Sequence, residues 1–382
     1  MLTESPQAYL ETLFRAAIKA ADPMVRLPQF LPQRPKGRLI VIGAGKASAR
    51  MAETVEQHYG PCEGMVITRY GYERSTQGIE IVSAAHPVQD QAGVDATRRM
   101  LHFVSDLTSD DLVIALISGG GSALLCAPAK GITLADKMHI TSQLLACGAT
   151  ISEINKVRQT ISLVKGGQLA AACAPARVMA FLISDVPGDD PTFIASGPTV
   201  PSQTTAQDAM AIIRKWHLNI PNTVRDAIES YEKTSIGLDN CDTHIIAAPS
   251  QSLAAAVDHA GQVDVHILGD AIEGEARDVA RAHVKIAQQI QKDGPRRPTL
   301  ILSGGECTVT RTGTGIGGPN AEYVLSAAIA LDGAMGIHVL AGDTDGVDGA
   351  DEVAGAYAGP ETLKLARNLG IDATHALKNN DA

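Results

Sequence analysis

The chain lacks most of the marks that assign a protein to a special environment. None of its six cysteines, at 62, 126, 147, 173, 241 and 307, stands in a CxxC pair or at a Cys/His ligand spacing. Neither a disulfide framework nor a structural zinc is therefore expected, and the thiols point to a reducing, cytoplasmic setting. No apolar run approaches the length of a membrane span, and Glu4 and Glu11 fall where a signal peptide would need an unbroken apolar stretch. Basic residues are in deficit: the formal net charge is -10, which argues against nucleic acid as a partner, although one basic pocket for a small anion stays open. With 45% hydrophobic and 19% charged residues the chain is neither disordered nor fibrous, and 382 residues suit two domains.

What the sequence does hold is a series of short apolar runs that end in Gly, Ser, Asp or Thr. They are "RLIVIGAGK", "GMVITRYG", "LVIALISGGGS", "RVMAFLISDVPGDD", "THIIAAPS", "VHILGD", "PTLILSGGE" and "IHVLAGDTDG". Without polar alternation they read as parallel strands buried on both faces. Alanine-rich amphipathic stretches at 51–59, 135–147, 251–260 and 275–292 separate them. Strands alternating with helices give an α/β fold, and the break in pattern at 232–242 divides it into domains over 1–236 and 237–382, with a cleft between them. Ligands in such folds gather beyond the carboxyl ends of the strands, where these small-residue turns fall.

The turns carry unusual residues. Gly43, Gly45 and Ser48 fit a loose GxGxxG whose third glycine is missing, and Lys46 stands inside it. A lysine at the amino end of a helix opposes the macrodipole unless an anion is near; the plain alternative is a side chain that snorkels into water. Ser118, Gly119, Gly120, Gly121 and Ser122 follow a strand, and unhindered N–H groups there suit a polyphosphate, or else make a tight turn with no ligand. The recurrence of Ser303, Gly304 and Gly305 after another apolar run favours the first reading. In "SEINKVRQTISLVKGG" a helix is expected from Ser152 to the glycines at 166 and 167, with Arg158 and Lys165 on one strip that grips a carboxylate or simply meets solvent.

Carboxylates crowd two more strand ends: Asp185, Asp189 and Asp190 in one, Asp343, Asp345, Asp348 and Asp351 in the other. Acids between glycines suit a hard cation that bridges phosphates, magnesium before calcium because no EF-hand glutamate is present, although some are turn formers or caps.

In this order, "VIGAGKA", "SGGGSALL", "INKVRQTISLVKGG", "SDVPGDDPTFIASGPT", "SGGECTVT", "GGPNAE" and "DTDGVDGADEVAGA" resemble the type II glycerate 2-kinase family with a MOFRL carboxyl-terminal domain, over about residues 10 to 380. The resemblance implies a Rossmann-like amino-terminal domain, a smaller carboxyl-terminal domain, and phosphoryl transfer from ATP, with Mg2+, to the 2-hydroxyl of D-glycerate. It makes Lys46, Asp345 and Asp189 the expected catalytic residues, Lys46 offsetting charge on the transferred group. Gly43, Gly45 and residues Ser118 to Ser122 are the expected nucleotide site. Arg158, Lys165, Asn320 and Glu322 are expected to hold substrate, and Asp185 and Asp348 the metal. A small acid and a nucleotide are the expected partners, with no nucleic acid or membrane, and a homodimer left open. Two departures stand out: Pro319 replaces an arginine common in "GGRN", for which Arg158 or Arg311 would have to compensate, and the family usually continues past "NNDA" with TGPT and NVND motifs.

The rival reading is an NAD(P)-dependent hydroxypyruvate reductase, with Arg69 where a 2'-phosphate would sit. Against it stand the degenerate glycine loop and the lack of a His with a carboxylate partner. A non-catalytic sugar-acid binder is a third reading, which leaves the aspartates at the strand ends without a purpose.

Overall fold

The computed structural model describes residues 4–232, 239–349 and 353–382. The chain divides into one unit over Ala21–Ala248 and a second over Pro249–Ala382 joined by the residues up to Ala20. The division falls after the strand that the sequence assigned to the later domain, because that strand completes the first unit's sheet. Part of the expected boundary stretch, 233–238, lies outside the described residues.

The first unit is a six-stranded sheet in the order β3-β2-β1-β4-β5-β6, every pair parallel. The strands are β1 Leu39–Ala44, β2 Glu63–Arg69, β3 Ile79–Ala84, β4 Leu112–Ile117, β5 Arg177–Ile183 and β6 Cys241–Ala247. This is the doubly wound order of dinucleotide-binding folds. Its central strands lack polar alternation because both faces are covered. Ile40, Ile42 and Ala44 pack with Ile117 and Val178 on one side, while Leu39 and Val41 pack with Met51, Val55 and Ile114 on the other. The sequence missed β3, whose "IEIVSA" carries a charge and only two buried residues at its ends.

The second unit pairs β7 Asp264–Glu275 with β8 Thr299–Thr308 in parallel, and β9 Val339–Gly342 with β10 Gly355–Ala358 in antiparallel fashion. Here the expectation of strands buried on both faces fails: much of β7 and β8 is exposed or half-buried. Ser303, Gly304 and Gly305 also sit inside β8, beside a register shift, so their likeness to the glycines at 119–121 is one of sequence and not of structure. No described helix is long and apolar enough to cross a membrane.

Candidate active site

The strand order of the first unit reverses between β1 and β4, so a crevice opens beyond Ala44 and Ile117, the place where open α/β sheets collect ligands. The turn after β1 is fully occupied with itself and its neighbour. Gly45 N–H donates to Ile67 at 3.1 Å, Lys46 N–H to the carbonyl of Gly119 at 2.8 Å, and Ser48 N–H to Gly45 at 3.2 Å. Ala47 N–H donates to Ser118 Oγ at 3.0 Å. Gly43 and Gly45 therefore offer no backbone cradle, contrary to expectation. Gly43 serves packing: a β-carbon there would stand 2.2 Å from the Leu116 carbonyl of β4. Ser48, in place of the third glycine, is buried and donates to Leu116 at 2.9 Å.

The turn after β4 is different. Gly121 N–H bonds back to Ser118, and Gly119 and Gly120 form the turn itself. Three side chains converge on them. A β-carbon on Gly119 would lie 2.4 Å from Asp185 Oδ2. Gly120 adopts φ +79°, a left-handed conformation that a side chain would strain, and a β-carbon there would lie 3.1 Å from His86 Nε2 and 3.3 Å from Lys46 Cγ. Of the expected nucleotide residues, Gly119 and Gly120 lie where these side chains meet. Ser118 is spent joining the two turns, and Ser122 Oγ pairs with Ser196 Oγ at 2.8 Å. His86 was missed because nothing local marks it; only the fold brings it from the β3 turn to this loop.

The loop after β5 sorts its acids. Asp185 is exposed beside Gly119. Asp189 holds φ 54°, a strained setting for a residue with a side chain, and its buried Oδ1 receives no hydrogen bond among the described residues. Asp190 is a turn former, accepting from Thr192 N–H at 2.9 Å and Thr192 Oγ1 at 2.7 Å.

The cation-bearing helix runs Ile151–Thr160, capped by Thr150 with Glu153 in a reciprocal box. The expected cap at Ser152 and extension to Gly166 are both corrected: Ile161 leaves helical geometry, so Lys165 stands in the following turn and shares no helical strip with Arg158. Arg158 is half-buried and makes no ion pair among the described residues. Lys165 is wholly buried and donates to the carbonyls of Ser122 at 3.0 Å and Ala195 at 3.4 Å. Burial, followed by repulsion from Lys137 and Arg158, pushes its pKa well below the ordinary lysine value. It braces the glycine turn rather than facing solvent.

In the second unit most expected ligands are committed elsewhere. Asp348 is fully buried and caps the helix Pro319–Leu331, accepting from Asn320 N–H at 3.0 Å, Asn320 Nδ2 at 3.1 Å and Ala321 N–H at 2.7 Å. A helix cap replaces the expected metal ligand, and Asn320 is spent on it. Glu322 is fully buried between Arg277, at 2.8 Å, and Asn380 Nδ2, at 3.0 Å, which makes it a structural ion pair and not a substrate contact. Pro319 takes the first helical position, where its missing N–H is no loss. Arg311 donates to the Gly315 carbonyl at 2.8 Å. Asp345 stays half-buried in the turn after β9, its Oδ1 accepting from Val347 N–H at 3.1 Å. Asp351 lies outside the described residues.

Among the described residues no three His, Cys, Asp or Glu side chains lie close enough to hold a metal ion by themselves.

Comparison with known proteins places this geometry. Residues 9–229 match the family described as a domain of unknown function, DUF4147, and residues 299–382 match the MOFRL family. An Agrobacterium vitis protein, named provisionally as a hydroxypyruvate reductase, is 45% identical over 388 residues, covering 99% of this chain and 88% of that protein. The D-glycerate 2-kinase of Thermotoga maritima is 37% identical over 377 residues, covering 97% of this chain and 90% of the relative. The crystal structure of the Thermotoga maritima glycerate kinase superposes with a TM-score of 0.87 at 35% identity, over 98% of this chain and 92% of that one.

Proposed function

From the premise that this chain belongs to the glycerate kinase family with a MOFRL carboxyl-terminal domain, we propose that it transfers the γ-phosphoryl group of ATP to the 2-hydroxyl of D-glycerate. The observation that carries this reading is the glycine turn at the switch point of the sheet, with Gly120 in a left-handed conformation and Lys46 and Asp185 packed against it. A turn without side chains and a lysine beside it suit a phosphoryl group whose charge spreads over three oxygens in a loose transition state. Lys46 neutralises that charge. Arg158 offers a planar fork to the substrate carboxylate. Asp345 orients the glycerate hydroxyl and accepts its proton; Asp189, with an oxygen that receives no bond, supports the substrate. Mg2+ on the nucleotide would shield the phosphate oxygens, with Asp185 as its protein carboxylate. Six free thiols support an enzyme of a reducing compartment, the cytoplasm.

The reductase alternative loses support in the first turn. A nicotinamide dinucleotide would need the backbone N–H groups of that turn for its pyrophosphate, and those of residues 45 to 48 are already bonded. Arg69, suggested for a 2'-phosphate, lies 4.6 Å over the Tyr72 ring.

Incubation with D-glycerate, ATP and magnesium, and in parallel with hydroxypyruvate and NADH or NADPH, tests the reading. Formation of 2-phosphoglycerate in the first mixture is expected. Nucleotide oxidation in the second with no phosphoglycerate in the first would overturn it.

A further inference from the structure

The helix Leu134–Ala146 buries Lys137, Ile140 and Leu144 along one stripe, so a lysine stands where the pattern calls for an aliphatic residue. Lys137 is fully buried, and its Nζ meets only the Cys126 thiol, a weak acceptor, with no oxygen partner among the described residues. The adjacent helix Ile151–Thr160 carries Asn155 and Arg158 three residues apart, on one face. Asn155 Oδ1 accepts from Ser196 Oγ at 2.9 Å, which leaves its buried Nδ2 unbonded. Repulsion from Arg158 reaches Lys137, and repulsion from both reaches Lys165. None of the three cations is ion-paired with a carboxylate among the described residues. A core built for stability alone does not gather cations without a carboxylate, nor leave the buried Lys137 Nζ and Asn155 Nδ2 without an oxygen acceptor, because apolar residues of equal volume serve it as well or better. The cluster connects to the glycine turn: Asn155 joins Ser196, Ser196 joins Ser122 at 2.8 Å, and Lys165 bonds the Ser122 carbonyl.

We propose that Lys137 and Asn155, together with Arg158, form a pocket that binds the carboxylate of the hydroxy-acid substrate, with Lys165 as the residue that positions it against the glycine turn. This rests on the reading of the protein as an acid-phosphorylating kinase and adds two residues that the sequence did not single out. A carboxylate brings oxygen acceptors to Lys137 Nζ and Asn155 Nδ2, which have none among the described residues, while the glycine turn takes the phosphoryl group. Lys137 is then a specificity determinant, selecting an acid over a neutral polyol.

The test compares the parent with Lys137→Met, which keeps the length of the side chain and removes its charge. The Michaelis constant for D-glycerate should rise at least about tenfold, the scale of one lost charge-assisted hydrogen bond. That for ATP should hold, and the melting temperature of the ligand-free variant should equal or exceed that of the parent. An unchanged constant for glycerate, a parallel rise for ATP, or a lower melting temperature overturns the proposal. Should the parent form no phosphoglycerate, the kinase reading fails separately. Calorimetric titration of both proteins with D-glycerate, D-lactate and glycerol then still decides: binding of the acids by the parent alone sustains the pocket, and equal binding or none removes it.

Discussion

The backbone N–H of Lys46 donates to the carbonyl of Gly119 at 2.8 Å. This bond locks the turn after β1 to the turn after β4, so a lysine from one strand end is delivered to a glycine loop on another. Because the contact is made by the backbone, it survives truncation of the side chain.

Lys46→Ala should therefore leave the fold intact and lower kcat by about a hundredfold or more, the scale of losing one preorganised charge at a transition state. Steady-state rates at saturating ATP check this; an undiminished rate would remove Lys46 from the chemistry.

Asp345→Asn should abolish most turnover and leave the melting temperature within a few degrees. Asparagine keeps the Oδ1 that accepts from Val347 N–H and loses the charge that accepts a proton. Rate and melting curve are to be measured on one preparation, and an active but destabilised variant would sink the assignment.

Arg158→Ala should raise the Michaelis constant for glycerate more than that for ATP, since its proposed partner is the substrate carboxylate. Equal effects on both would make the residue structural.

The buried cations give a pH signature. Burial pushes Lys137 below the ordinary value of 10.5, and Lys165 well below it. As pH falls from 10.5 the unfolded chain takes up protons at these groups before the folded chain does, so they cost stability in that window, and the cost fades as pH rises. A bound carboxylate that holds them charged brings protons with it. Affinity for glycerate should fall as pH rises toward 10.5, less steeply in Lys137→Met, and the stability gap between variant and parent should close. Melting curves and glycerate titrations across a pH series measure both trends.

Glu322→Ala should unfold the second unit at lower temperature by removing the buried partner of Arg277, at a cost of about 3 kcal/mol. At temperatures where the variant stays folded, the Michaelis constant for glycerate should match that of the parent. A selective rise would return Glu322 to the substrate site.

How much was legible in the sequence follows from the range of each interaction. The eight apolar runs all became strands; in the first unit burial on both faces leaves a one-dimensional mark, while in the second the same runs stand largely half-buried or exposed, and the glycine-flanked Lys46 was visible because a charge at a helix start is locally unfavourable. β3 and β10 left weaker marks, with few buried residues each. The helix end at Thr160 was misjudged because Ile161 and Val164 are buried in the first unit's core by the turn that follows, and so continue an apolar spacing without continuing the helix.

The sequence by itself determined the α/β class, the two-part organisation, and which residue types stand at the strand ends, since these depend on local periodicity and on what a turn can tolerate. Only the tertiary structure decided which acids and cations are free to act. Asp348 and Glu322 look from the sequence like Asp345 and Asp189. Their partners, the N–H groups of residues 320 and 321 and the guanidinium of Arg277, come from 27 to 45 positions away. The same distance hid Lys137, a lysine in an apolar stripe whose neighbours Cys126 and Arg158 are gathered by folding. Burial and pairing are properties of three-dimensional neighbours, and these set whether a carboxylate caps a helix or accepts a proton.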